Sequence, residues 1–178
     1  MNAKNQKIVI IGAPGSGKTT LIELLIQKGY DCFPEISREI TLEARKEGIE
    51  QLFLHDPVLF SSKLIGGRLK QYEDAQSKEL VFFDRGLPDV VAYHHYLGTD
   101  YPPFFDKICH ENPYDKVFVL PPWEAIYSSD AVRYESFEQA KKIHENLIQA
   151  YQRFSMTPVA VPIGKAAERV AFMEQQLT

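Results

Sequence analysis

The stretch Gly12-Ala13-Pro14-Gly15-Ser16-Gly17-Lys18-Thr19 limits what this chain can become more than any other. It fits the pattern G-x-x-x-x-G-K-[ST] at every fixed position, and each residue type has a physical task. Glycines let the backbone curl until successive N–H groups point into one anion-binding hollow. A helix beginning at the lysine adds its unpaired N–H donors and the positive end of its dipole. Lys18 reaches β- and γ-phosphates, and the Thr19 hydroxyl is a hard oxygen ligand for Mg²⁺. The flanks agree with this reading. Lys7 to Ile11 is a short β-branched apolar run, and Leu21, Ile22, Leu24 and Leu25 give the following segment an apolar helical face. The phosphate-binding set is therefore Gly12 through Thr20, with Thr20 beside Thr19 in the first helical turn. Lys18 is expected on the surface of the loop, outside the core.

Further along, helix-like and strand-like segments alternate. Tyr30 to Ile36 reads as a second strand and Ser37 to Lys46 as a helix. Asp56-Pro57 starts another helix that runs to about Gln76. "ELVFFD", ending at Asp84, is a buried strand, and Pro88 suits the first turn of the helix behind it. "DKVFVL" and "TPVAVPI" are two more strands. Between them Phe137, Ala140, Ile143, Leu147 and Phe154 mark an amphipathic helix, and the tail from Lys165 closes the chain as a helix. Five strands alternating with helices predict a parallel sheet covered on both faces, with ligands at the carboxyl ends of its strands.

The 178 residues suffice for one domain with a substantial core. A net charge of −4 offers no general attraction to nucleic acid or anionic membrane, so neither is an expected partner. Cys32 and Cys109 lack CxxC spacing, and no apolar run approaches membrane-spanning length. A reducing cytoplasm is the expected compartment.

Three further segments carry charge where chemistry needs it. In "LVFFDRG" four apolar residues lead to Asp84, which places a carboxylate near the metal position; a plain cap on the helix from Leu87 is the competing account. ATPases that act on water through this strand commonly follow the aspartate with a glutamate. Here Arg85 follows, which suits a polar or anionic acceptor and turns the expectation from hydrolase to transferase. "FPEISREI" carries Glu35 and Arg38 three apart at the end of the second strand, where they face the crevice or are simply solvated helix-start charges. "YSSDAVRYESFEQA" places Arg133 in a loop before the long helix, suited to a phosphate-closing lid at about 122–136; an i,i+3 pair with Asp130 is the alternative. "LIGGRLKQ" lacks the serine and glutamine of the transporter-ATPase signature it superficially matches. Its Gly66-Gly67 pair brings a helix close to a neighbour or bends it. No N-K-x-D segment reads guanine, so ATP is preferred over GTP.

Taken together, "GAPGSGKTT", "PEISRE", "DRGLPDVVAY" and "VRYESFEQAKKIHENLIQAY" resemble the small P-loop ATPases labelled AAA domains of the nicotinamide riboside kinase type. The resemblance runs from Lys7 to about Phe154. It implies a single domain over 1–178 with a three-layer α/β, P-loop kinase-like fold: a five-stranded parallel sheet with helices on both faces. It places Gly12, Gly15, Gly17, Lys18 and Thr19 in the phosphate loop and Glu35 and Arg38 on the substrate side. Asp84 and Arg85 then form the acidic motif and Arg133 the lid arginine. Asp89 and Tyr93 also match, though a helix-start acid and a packed tyrosine account for them without function.

The expected activity is Mg²⁺- and ATP-dependent phosphoryl transfer to a small hydroxyl-bearing, nucleoside-like acceptor. Lys18, Glu35, Asp84 and Arg133 would carry the chemistry, Arg38 and Arg85 would anchor the acceptor, and Thr19 and Asp84 would hold the metal. An ATP-dependent switch or slow ATPase working on a protein or lipid partner is the rival. A closed pocket of small-molecule size, lined by Glu35 and Arg38 and facing the γ-phosphate, favours transfer, and a flat apolar face there favours the switch.

Overall fold

A computed structural model describes residues 5–127 and 135–177. Five strands, β1 (Gln6–Gly12), β2 (Asp31–Phe33), β3 (Leu80–Asp84), β4 (Lys116–Leu120) and β5 (Pro158–Ala160), form one parallel sheet in the order β2-β3-β1-β4-β5. The connecting helices are α1 (Lys18–Gln27), α2 (Ser37–Lys46), α3 (Leu52–His55), α4 (Pro57–Asp74), α5 (Leu87–Leu97), α6 (Phe104–Glu111), α7 (Phe137–Arg153) and α8 (Ala166–Gln175). Among the described residues, no helix is long and apolar enough to cross a membrane.

The strands read as unbroken apolar runs because both faces of the sheet are covered. Alternation divides them. Val9, Ile11, Val81, Phe83, Val117 and Val119 join one buried cluster with α5 and α7 residues such as Val91, Leu147 and Tyr151. Ile8, Ile10, Phe82, Phe118 and Leu120 point the other way, against Leu21 and Leu25 of α1 and Val170 and Met173 of α8. This is the three-layer arrangement expected from the sequence.

Local chemistry sets the boundaries. Pro57 opens α4 while the Asp56 carboxylate accepts from the Leu59 N–H at 2.9 Å. Ser136 and Gln139 close a reciprocal capping box at the start of α7. The second strand is shorter than Tyr30–Ile36: it pairs only through Asp31–Phe33, on the sheet edge, and stops where Pro34 has no N–H to give. Two helices without a sequence signal of their own, α3 and α6, fill the connections on either side of α4 and α5. Gly67 brings α4 close to its neighbour, since a Cβ there would stand 2.5 Å from Ile36 Cδ1.

Candidate nucleotide and acceptor site

Strand β1 lies between β3 and β4, so the chain leaves its carboxyl end at the point where the strand order reverses. From there the loop after Gly12 runs into α1. Gly15 and Gly17 adopt φ of 78° and 91°, left-handed values that an L side chain resists. The Ser16 N–H donates to the Ala13 carbonyl at 3.3 Å, which closes the curl. Ala13 and Ser16 are buried, Pro14 and Gly15 half-buried, and Thr19 and Thr20 exposed at the start of α1.

Lys18 departs from the expectation that it lies on the loop surface. Only 8% of it is exposed, and its Nζ donates to the Gly12 carbonyl at 2.6 Å. Burial and the nearby positive charge of Arg85 push its pKa down to about 7, against the opposing pull of Asp84, Asp89 and Glu35. The loop keeps its cation desolvated, within reach of the hollow.

In the register of β1 and β3, Asp84 lies opposite Ile10, two residues before Gly12. Burial raises its carboxyl pKa, partly offset by Lys18 and Arg85. Its Oδ1 is buried without a hydrogen-bond partner. The simple capping account does not hold, because α5 is capped otherwise: the Gly86 N–H donates to Asp89 Oδ2 at 2.9 Å and the Leu87 N–H to the Tyr114 hydroxyl at 3.2 Å. The orphaned Asp84 oxygen and the exposed Thr19 hydroxyl are both hard oxygen donors, the chemistry that Mg²⁺ takes.

On the other side of Asp84, Glu35 sits at the centre of a cluster of arginines. Arg85 Nε meets Glu35 Oε2 at 2.6 Å, and Arg68 Nη2 lies 3.1 and 3.3 Å from Oε1 and Oε2. The Ser37 N–H adds a bond to Oε1 at 2.9 Å. Burial alone would raise this carboxyl, but Arg68, Arg85 and the Ser37 N–H outweigh it and hold the pKa at about 2. Arg85 also donates to the Tyr93 hydroxyl at 3.1 Å and lies over its ring.

Arg85 adopts φ of 70°, a strained value for a non-glycine residue. Its surroundings over-determine it. The Arg85 N–H donates to the Ile10 carbonyl at 3.0 Å, and Arg68 Nη1 donates to the Gly86 carbonyl at 3.1 Å. Asp89 is almost fully buried, and its Oδ2 also accepts from the Tyr151 hydroxyl at 2.6 Å, tying the turn to α7.

The structure thus brings Lys18, Asp84, Glu35 and Arg85 together at the carboxyl ends of β1, β2 and β3. Arg38 is exposed on α2 and shares no ion pair with Glu35 among the described residues. Arg68 stands in that place instead. Its signal was positional: Ser61, Leu64, Ile65 and Arg68 form the buried stripe of α4, and an arginine on a core stripe needs a partner. Arg133 and Asp130 lie outside the described residues. The lid region is described as far as Tyr127, and there Ile126 Cδ1 lies 3.6 Å from the position of a Cβ on Gly17.

A phosphate loop on the central strand, an aspartate on the adjacent strand and the order 2-3-1-4-5 define a P-loop protein of the kinase-like class. The family model described as an AAA domain matches residues 7–169, and the chain belongs to that family. Among solved structures it is similar to deoxyadenosine kinase from M. mycoides with the products dCMP and dCDP bound, at a TM-score of 0.68 and 18% identity over 97% of this chain and 98% of that one. It is also similar to the NadR protein in complex with NR, at a TM-score of 0.70 and 18% identity; 97% of this chain corresponds to 50% of that one. A NadR structure with NAD and AMP-PNP matches at a TM-score of 0.70 and 19% identity, over 97% of this chain and 48% of that one. The chain therefore spans about half the length of NadR. No curated protein sequence matches it.

Proposed function

We propose that the protein transfers the γ-phosphoryl group of ATP to a hydroxyl of a small, nucleoside-like molecule. The observation that carries this reading is the half-buried Glu35–Arg68–Arg85 cluster beside the phosphate loop. A flat apolar face would suit a macromolecular partner; fixed charges at the carboxyl ends of the strands suit a polar small molecule. The solved relatives support the same reading, since they include a deoxyadenosine kinase with nucleotides and a protein bound to NR or to AMP-PNP.

In this reading the loop amides and Lys18 bind the β- and γ-phosphates, and Lys18 regains its proton as it meets them. Thr19 and Asp84 would hold Mg²⁺, which when bound neutralises charge developing on the phosphate oxygens. Glu35 accepts the hydrogen bond of the acceptor hydroxyl and aims its oxygen at the phosphorus. At a pKa near 2 it is a weak base. Phosphoryl transfer through a loose transition state demands positioning more than base strength until the O–P bond forms. The attacking hydroxyl has then become strongly acidic, and its proton passes to the Glu35 carboxylate as ADP leaves. Arg85 and Arg68 fix Glu35, and Arg85 has further donors for the acceptor. Arg133 would neutralise charge on the transferred group, and Arg38, on the exposed face of α2, completes the set on movement toward the bound molecules.

The test is a panel of nucleosides, sugars and cofactor precursors incubated with γ-labelled ATP and Mg²⁺. Transfer of label to at least one nucleoside-like acceptor is expected. Label appearing only as inorganic phosphate across the panel would favour the slow ATPase.

A further inference from the structure

Helix α8 packs against α1 and carries Arg169 to the outer side of the phosphate loop. Only 4% of Arg169 is exposed. Its Nη1 donates to the Ser16 carbonyl at 3.2 Å and lies 3.1 Å from where a Cβ on Gly17 would stand. Its Nε and Nη2 are buried without hydrogen-bond partners, and among the described residues no carboxylate pairs with it. Burial lowers its pKa, and no neighbouring charge opposes that shift.

A buried guanidinium normally pairs with a carboxylate, because a desolvated charge left alone is costly. Here the one bond it makes among the described residues is to the phosphate loop. In a trans peptide the C=O and N–H point in opposite directions, so holding the Ser16 carbonyl toward Arg169 aims the Gly17 N–H away from it. The same bond polarises that peptide and strengthens the N–H as a donor.

We propose that Arg169 is a positioning residue for polyphosphate. It fixes the Ser16–Gly17 peptide with its N–H turned into the hollow, and it supplies a permanent positive charge that the bound phosphates neutralise from the other side of the loop. The proposal rests on the nucleotide-binding reading above. It explains a charge kept without a counter-ion among the described residues: the anion is the ligand. It also gives Gly17 a second reason to be glycine, since a Cβ would crowd the guanidinium at 3.1 Å.

Two substitutions separate charge from hydrogen bonding. Arg169→Gln keeps an N–H donor for the Ser16 carbonyl and removes the charge. Arg169→Lys, titrated at a pH low enough to keep a buried ammonium protonated, retains the charge and an N–H donor for the Ser16 carbonyl. AMP-PNP, AMP and adenosine are titrated calorimetrically into wild type and both variants, each first shown to melt cooperatively. The expected result is a loss of roughly tenfold in AMP-PNP affinity for Arg169→Gln, a smaller loss for AMP and none for adenosine, because the effect follows ligand charge. Arg169→Lys should stay within about threefold of wild type for all three ligands. Equal losses for the three ligands, or wild-type AMP-PNP affinity in Arg169→Gln, would overturn the proposal while leaving the nucleotide site standing. Should Arg169→Gln not fold, a tenfold loss in folded Arg169→Lys overturns it and retained affinity supports it. Wild type that binds none of the ligands would remove both the proposal and the reading beneath it.

Discussion

Glu35 Oε2 and Arg85 Nε meet at 2.6 Å, joining the end of β2 to the turn that follows β3. With Arg68 and the Ser37 N–H, the carboxylate has four polar contacts, two on each oxygen. An ion pair this enclosed is poor evidence for stability by itself, since desolvation offsets much of the attraction. It is better evidence for fixed geometry. It holds one carboxylate in place and locks a strained Arg85 next to the aspartate beside the phosphate loop.

The cluster makes acid stability a direct reading of Glu35. Its pKa falls from an ordinary 4.5 to about 2 on folding, so its contribution is fully present above pH 4.5 and is lost as pH falls toward 2. Thermal melts between pH 5 and 2.5 should show wild type losing more stability than Glu35→Gln over that interval. Parallel curves for the two proteins would show that the carboxylate does not feel its arginines.

Lys18 behaves in the opposite sense. Its pKa drops from 10.5 to about 7, so the unfolded chain binds more protons than the folded one between those values, and stability rises with pH across that window. The difference in melting temperature between wild type and Lys18→Met should therefore shift in favour of wild type from pH 7 to pH 10. Nucleotide binding near pH 8 should draw in a proton, visible as a buffer-dependent heat of AMP-PNP binding that Lys18→Met lacks. Lys18→Ala should weaken AMP-PNP binding by roughly two orders of magnitude in a protein that still folds, as expected when one partner of a desolvated charge pair is removed. A folded Lys18→Ala with wild-type affinity would contradict the phosphate-loop assignment.

Asp84→Asn keeps the shape and removes the charge. Turnover should fall by roughly 10²-fold or more while AMP-PNP affinity changes far less, since the metal's contribution grows as charge moves in the transition state. The loss should be steepest at limiting Mg²⁺. Near-normal turnover there would mean that the orphaned Oδ1 serves no metal.

Much of this was legible in the sequence, for identifiable reasons. The phosphate loop announced itself because its glycines and lysine follow one another along the chain, and Asp84 because four apolar residues must carry it up a buried strand. The sheet followed from apolar runs that only double coverage explains. Arg68 and Arg169 were hidden for the converse reason. Each meets its partner across the fold, 33 residues away for Arg68 and Glu35 and 153 for Arg169 and Ser16, and local spacing is blind to such pairs. Three-residue spacing suggests a shared face for Glu35 and Arg38, yet Glu35 precedes α2 and its carboxylate turns toward Arg68 of α4 and Arg85 after β3, leaving Arg38 exposed. The burial of Lys18 also escaped, since a loop lysine is usually solvated, and only the packed loop shows its ammonium turned onto its own carbonyls.

Phosphorylation of a panel acceptor by Glu35→Gln, with ATP hydrolysis followed in parallel without acceptor, tests the central claim most directly. Glutamine preserves volume and hydrogen bonding but cannot take the acceptor's proton. Transfer should fall by roughly two to four orders of magnitude, while AMP-PNP affinity and acceptor-free hydrolysis stay close to wild type. Full transfer activity in the folded variant would contradict the account, removing Glu35 from the reaction and with it the reason for its arginine cluster.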